Sequence, residues 1–80
     1  MIMAPELKKS IAEYVIGERK EVTISGSPLV VSVIYEAARA SRNLMLALKN
    51  GNIDSISSAI EEKRVAVSRY EKVFGADWNL

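Results

Sequence analysis

The middle of the chain carries the clearest pattern of apolar and polar positions. Apolar residues recur there at spacings of three and four, the period of an α-helix, and they form two neighbouring stripes. One stripe comprises Val30, Val33, Ala37, Ala40, Leu44 and Ala47, and the other comprises Val31, Ile34, Ala38, Ser41, Met45 and Leu48. A surface helix of a small monomer needs only one apolar face. The second stripe therefore predicts a second packing partner, either another helix of this chain or another copy of it.

Signals at both ends of this segment predict where the helix begins and ends. Ser27 can cap a helix and Pro28 suits its first turn, while Asn50 and Gly51 favour the left-handed backbone that ends one. We therefore predict a helix over about 28–49. Its polar face is narrow and consists of Ser32, Glu36, Arg39, Asn43 and Asn50.

Apolar spacing also predicts a helix on each side of this central one. Pro5 suits the first turn of a helix over about 4–16, and Asn52 or Asp54 can cap a helix over about 53–73. The apolar face of the later helix comprises Ile53, Ile56, Ile60, Val67, Tyr70 and Phe74, with the aliphatic stem of Lys63 between them. Because only a few residues separate the central helix from the later one, we expect the two to run antiparallel as a hairpin.

The two remaining segments are short and lack helical spacing. In the connector over 18–26, residues 22–25 alternate apolar and polar side chains, which is a weak strand pattern. We interpret them as an extended loop, and the alternative is a strand that pairs with the same segment of another copy. In the tail over 75–80, Trp78 has a large apolar area. We expect it to pack back on the hairpin rather than to bind a ligand.

Together these elements predict an all-α fold in a single domain over residues 1–80. A short N-terminal helix precedes a long antiparallel hairpin. We expect the hairpin to self-associate into a helical bundle, because exposing both stripes would leave a sticky apolar patch. The expected product is a symmetric dimer or a higher homo-oligomer. The predicted interface comprises Val30, Val33, Ile34, Ala37, Ala40, Ser41, Leu44 and Leu48.

Composition narrows the chemistry that this chain can perform. It has 80 residues, a formal net charge of +1, and neither His nor Cys. Without these two residue types there is no Ser-His pair, no thiol nucleophile and no ordinary zinc site. We therefore predict that the protein is not an enzyme and carries no metal or cofactor. The near-neutral charge does not favour binding to DNA or to an anionic membrane, and no apolar window is long enough for a membrane span. We expect a cytoplasmic protein.

One segment has the features of a small anion-binding site. Ser25, Gly26 and Ser27 precede the central helix, where free backbone N–H groups and the positive end of the helix dipole favour phosphate. Arg19 and Lys20 lie just upstream. The alternative is an ordinary helix cap with a flexible glycine turn. We favour the cap, because the segment lacks the glycine spacing of known phosphate-binding loops.

Three residues on the polar side of the central helix are candidates for contact with a partner: Tyr35, Arg39 and Arg42. The two arginines could instead form ion pairs with Glu61 or Glu62 of the later helix, a common role for charges on helix surfaces. A protein partner is the better hypothesis than nucleic acid, because the cations are spread along the chain and offset by acids.

Three functions remain open at this stage. We favour a small non-enzymatic interaction protein that oligomerises through its central helix and binds a macromolecular partner, as an accessory, inhibitor or regulator. The second hypothesis is a helical sponge or sensor that binds an anionic small molecule, such as a nucleotide, at residues 25–28. The third is a small nucleic-acid-binding modulator of transcription. The size and simplicity of the chain are typical of accessory proteins of phages or other mobile elements, although no motif carries that inference.

Overall fold

The computed structural model describes residues 3–80 and contains, within those residues, three α-helices and no β-strand. Helix α1 is Pro5–Ile16, helix α2 is Pro28–Asn50 and helix α3 is Ile53–Phe74. The all-α prediction is confirmed. Each helix bound lies within one residue of the bound expected from the sequence.

Local chemistry at the helix ends explains these bounds. The hydroxyl oxygen of Ser27 accepts a hydrogen bond from the backbone N–H of Val30 at 3.4 Å, which caps α2. The side-chain oxygen of Asn52 accepts one from Ser55 at 3.1 Å, which caps α3. Between the two helices, Gly51 adopts a φ of 73°, a left-handed conformation that glycine reaches without strain.

Helix α2 is the centre of the fold, because α1 and α3 each pack against it. The tight turn at Gly51 and Asn52 reverses the chain, so α3 returns along α2 as a hairpin. An ion pair between Glu36 and Arg69 at 2.7 Å shows that the middle of α2 lies opposite the later part of α3. We call the half of the hairpin near the turn the distal half, and the other the proximal half.

The C-terminal tail completes the core in the proximal half. The ring of Tyr70 lies 4.8 Å from that of Phe74 and 5.0 Å from that of Trp78, measured between centroids. The indole Nε1 of Trp78 donates a hydrogen bond to the hydroxyl of Ser41 at 3.0 Å, so the buried polar groups satisfy each other. The prediction that Trp78 packs back on the hairpin is confirmed. The core cluster comprises Ile11, Tyr14, Val15, Val33, Ile34, Ala37, Ala38, Tyr70 and Trp78.

The connector between α1 and α2 is extended and forms no strand, which confirms the loop interpretation. Val22 and Ile24 are half-buried against the core, while Thr23 and Ser25 are exposed. The alternation of apolar and polar side chains over residues 22–25 therefore reflects a loop that packs one side on the helices. Pairing with another copy is not tested by a single chain.

The distal half of α3 departs from the stripe that the sequence predicts. Ile53 and Ile60, expected in the hairpin core, are exposed, and Ala59 is the buried residue instead. Ala59 lies beside Ala47 of α2, and two such small side chains let the helices approach closely. This alignment turns the two isoleucines away from α2, where neither α1 nor the tail covers them.

Substituting two neighbouring alanines of α2 should have unequal effects on stability. Ala37 is fully buried in the core, so Ala37→Leu should overpack it and lower the free energy of unfolding by about 1–3 kcal/mol. Ala40 borders a groove between α2 and α3, into which a larger side chain can extend. Ala40→Leu should therefore lower the free energy of unfolding by less than Ala37→Leu does. Urea denaturation measures both, and equal losses would mean that Ala40 is as enclosed as Ala37.

Removing the Ser41 hydroxyl should loosen the tail. Ser41→Ala leaves the buried Trp78 N–H without a partner, which should lower the free energy of unfolding by about 1–3 kcal/mol. Ser57→Ala, at an exposed helical position, is the matched control. The single tryptophan reports the transition by its fluorescence. Equal stability of the two variants would show that the Ser41 hydrogen bond contributes nothing.

Candidate functional site

Two of the five residues of the predicted anion site, Arg19 and Ser27, make structural contacts. The guanidinium of Arg19 donates to the carboxylate of Glu13 at 2.7 Å, and this hydrogen bond lowers the pKa of Glu13. The Ser27 hydroxyl caps α2. The Lys20 side chain is exposed and forms no hydrogen bond or ion pair with the described residues, and Ser25 and Gly26 are exposed as well. No hydrogen bond joins any two of these five residues, and anion binding stays a prediction.

Arg42, expected to face a partner or to pair with Glu61 or Glu62, lies elsewhere. Its Nη1 atom donates to the backbone oxygen of Tyr14 at 2.7 Å and to that of Arg19. The guanidinium carbon lies 4.7 Å from the centroid of the Tyr14 ring, a cation–π geometry. Arg42 therefore forms no ion pair with Glu61 or Glu62, because its guanidinium binds one backbone carbonyl of α1 and one of the connector instead.

The other two partner-facing candidates remain on the open surface. Tyr35 and Arg39 are exposed, and the Arg39 side chain forms no hydrogen bond or ion pair with the described residues. Glu61 pairs with Arg64 of its own helix, which lowers the Glu61 pKa. Arg39 is therefore a free cation on the central helix.

The eight residues predicted to form an oligomer interface divide into two groups. Val33, Ile34, Ala37 and Ser41 are buried within the chain, so another copy reaches them only if the core opens. Ala40 is also buried, but it borders the groove between α2 and α3. Val30 and Leu44 are half-buried, and Leu48 is exposed. Through the middle of α2, the second packing partner of the two stripes is thus the chain itself. The one exposed residue of the two stripes, Leu48, lies at the distal end of α2.

Helical period places five apolar residues of the distal half on one side of the hairpin. On α2, Leu44 and Leu48 continue the row of helix positions that begins with the buried residues Ala37 and Ser41. On α3, positions 53, 56 and 60 continue the row of Val67. Because both rows contact α1 or the tail in the proximal half, their continuations share one side of the hairpin. We call this surface the distal apolar face, and it comprises Leu44, Leu48, Ile53, Ile56 and Ile60.

This face is unusually open for aliphatic side chains. The exposed fraction is 54% for Leu48, 78% for Ile53 and 52% for Ile60. The covered half ends where the Leu80 carbonyl accepts a hydrogen bond from the Lys63 ammonium at 3.4 Å. Sequence reasoning placed the two isoleucines in the core. The shortness of α1 relative to α2 was the signal that could have shown them uncovered.

The opposite side of the hairpin carries a groove between α2 and α3. One cavity of about 610 Å³ lies between the middle of α2 and the middle of α3, with Ala40, Val65 and Ala66 among its lining residues. A second cavity of about 480 Å³ continues it toward the turn, and Asn43 and Glu62 line both. We call the two together the back groove.

Residues 3–80 contain neither a membrane-spanning helix nor an acidic metal site. None of the three helices combines the length and the apolar character that a membrane span requires. In the same part of the chain, no group of acidic side chains is arranged to hold a metal ion.

Comparison with known protein families, with curated proteins and with solved structures finds no match to this chain. Its function is therefore inferred from the two open surfaces of the hairpin, the distal apolar face and the back groove.

The Arg42 side chain should contribute to the free energy of unfolding, whereas the Arg39 side chain should not. Arg42→Met keeps an apolar stem but removes the charged donor to two backbone oxygens, and it should lower the free energy of unfolding by about 1–3 kcal/mol. Arg39→Met makes the same chemical change at an exposed position of the same helix and should change it by less than about 0.5 kcal/mol. Thermal and urea denaturation measure both. Matching losses would refute a structural role for the Arg42 contacts.

Proposed function

We propose that this chain is a small non-enzymatic interaction protein that self-associates through the distal half of its hairpin and binds a macromolecular partner. The observation that supports it is the distal apolar face. Large aliphatic side chains exposed side by side favour association with another protein surface. The proposal keeps the central helix in the interface, through Leu44 and Leu48, and adds the isoleucines of α3.

The lengths of the helices support the packing of a second copy on this face. At 1.5 Å per residue, α2 with 23 residues is about 35 Å long and α1 with 12 residues is about 18 Å long. Helix α1 and the tail therefore form a step over the proximal half. A second copy in the inverted orientation packs its own distal half beside α1 and the tail of the first. The two distal apolar faces then contact each other across a two-fold axis. Two hairpins packed in this way form a four-helix bundle.

The surface area of the single chain supports the same reading. Its accessible surface is 5279 Å². A compact monomer of 8.8 kDa is expected to expose about 4,800 Å². The excess of about 500 Å² is similar in size to the area that each partner buries at the lower limit for a specific interface, about 1,000 Å² in total.

The remaining elements of the proposal rest on the sequence. The lack of His and Cys is why we infer a binding role rather than catalysis. An accessory, inhibitory or regulatory role, a phage or mobile-element origin and a cytoplasmic location are part of the same proposal. In each of them, the self-associated bundle is the unit that meets the partner.

A matched pair of leucine substitutions tests the self-association. Leu48 and Leu29 lie on the same helix with nearly equal exposed fractions, 54% and 53%, but only Leu48 belongs to the distal apolar face. At tens of micromolar, sedimentation velocity should give the wild-type chain and Leu29→Asp at least twice the 8.8 kDa mass of one chain. Leu48→Asp should sediment as a monomer, because a carboxylate cannot be buried unpaired in an apolar contact.

Two results would contradict the proposal. A wild-type chain that sediments as a monomer at this concentration would remove self-association. A Leu48→Asp variant that stays an oligomer would move the interface away from the distal apolar face. Helical circular dichroism of each variant shows that the fold is retained, which an exposed position makes the expected result.

A further inference from the structure

The back groove has the length of a docked helix. It runs along α2 from Glu36 to Asn50, fourteen residue steps, which correspond to about 21 Å or four helical turns. It faces away from the side on which α1 packs. A helix placed in this groove would contact α2 and α3 together, as Trp78 of the tail does on the other side.

The floor of the groove is small and apolar. Ala40, Ala47 and Ala59 lie there with their side chains buried, so that a third helix can approach the backbones closely. Val65 and Leu46 stand on the walls, where Val65 is 55% exposed. Such a floor with aliphatic walls suits the apolar face of an amphipathic helix.

The charges along the groove are predominantly negative, although the chain as a whole carries +1. Glu36 and Arg69 neutralise each other at one end. Toward the turn, Asp54 and Glu62 line the groove, and their side chains form no ion pair with the described residues. The free cation Arg39 lies near the Glu36 end. A complementary ligand therefore carries basic residues over the distal part of the groove and none beside Arg39.

We propose that the back groove binds a basic amphipathic helix of a partner protein, about four turns long. The apolar face of that helix lies on the alanine floor, and its Lys or Arg residues lie beside Asp54 and Glu62. The free carboxylates disfavour the phosphates of a nucleic acid. This inference rests on the proposed function, since it names the chemistry of the macromolecular partner, but it uses the surface opposite to the distal apolar face.

A model peptide provides the probe. An 18-residue peptide of Leu and Lys with amphipathic helical spacing is titrated into the ¹⁵N-labelled full chain, and the same peptide with Glu in place of Lys is the control. We expect saturable binding of the Lys peptide, with the largest amide shift changes at Ala40, Asn43, Val65 and Ala66. We expect no binding of the Glu peptide.

Two matched pairs of variants separate charge from apolar contact. Glu62→Lys should weaken binding about tenfold, whereas Glu21→Lys, the same change in the exposed connector, should have less than a twofold effect at physiological salt. Val65→Asp adds a favourable charge but removes an apolar wall, so it should weaken binding. Val73→Asp lies on the same helix outside the groove and should not weaken it.

Several outcomes would overturn this inference. No saturable binding of the Lys peptide, or shift changes centred on Leu48 and Ile60, would exclude the back groove as its site. Equal effects of Glu62→Lys and Glu21→Lys would show that binding depends on the net charge of the chain and not on the groove. Tighter binding by Val65→Asp would show the same. The sedimentation mass is measured in the same samples, so loss of groove binding is distinguished from loss of self-association.

Discussion

The structure depends on one mismatch of length, because α2 is almost twice as long as the helix that packs on it. Helix α1 and the tail bury the proximal half of α2, and hairpin formation brings α3 along its whole length. In the distal half two helices remain without a third layer, and a pair of helices has too little apolar contact to bury the side chains of both. The same face of each hairpin helix is therefore buried in the proximal half and exposed in the distal half.

Polar contacts hold the covering segments in place on α2. Arg42 donates to the backbone oxygen of Tyr14 in α1 and to that of Arg19 in the connector, and the neighbouring residue Ser41 accepts a hydrogen bond from the indole of Trp78 in the tail. Two adjacent residues of α2 therefore hold α1 with the connector on one side and the C-terminal tail on the other. Because adjacent residues on a helix point about 100° apart, one faces α1 while the other faces the tail.

The two open surfaces lie on opposite sides of the hairpin, which makes their proposed uses compatible. In a two-fold dimer formed through the distal apolar faces, both back grooves face outward. Such a dimer presents two equal grooves, and a partner with two suitable helices would gain effective concentration from binding both. Self-association would then increase the apparent affinity for the partner without any new contact.

The sequence by itself determined the number, type and bounds of the helices, because Ser27, Asn52 and Gly51 act within one turn of their own position. It also determined that Trp78 would be buried, from its apolar area. Only the tertiary structure decided which face of each helix is covered. Ala59 is buried and Ile60 exposed, and Arg42 turns to Tyr14, because each outcome depends on segments distant in the chain. Helical period places residues on a face, but only the length and position of the neighbouring helix decide how far along that face burial extends.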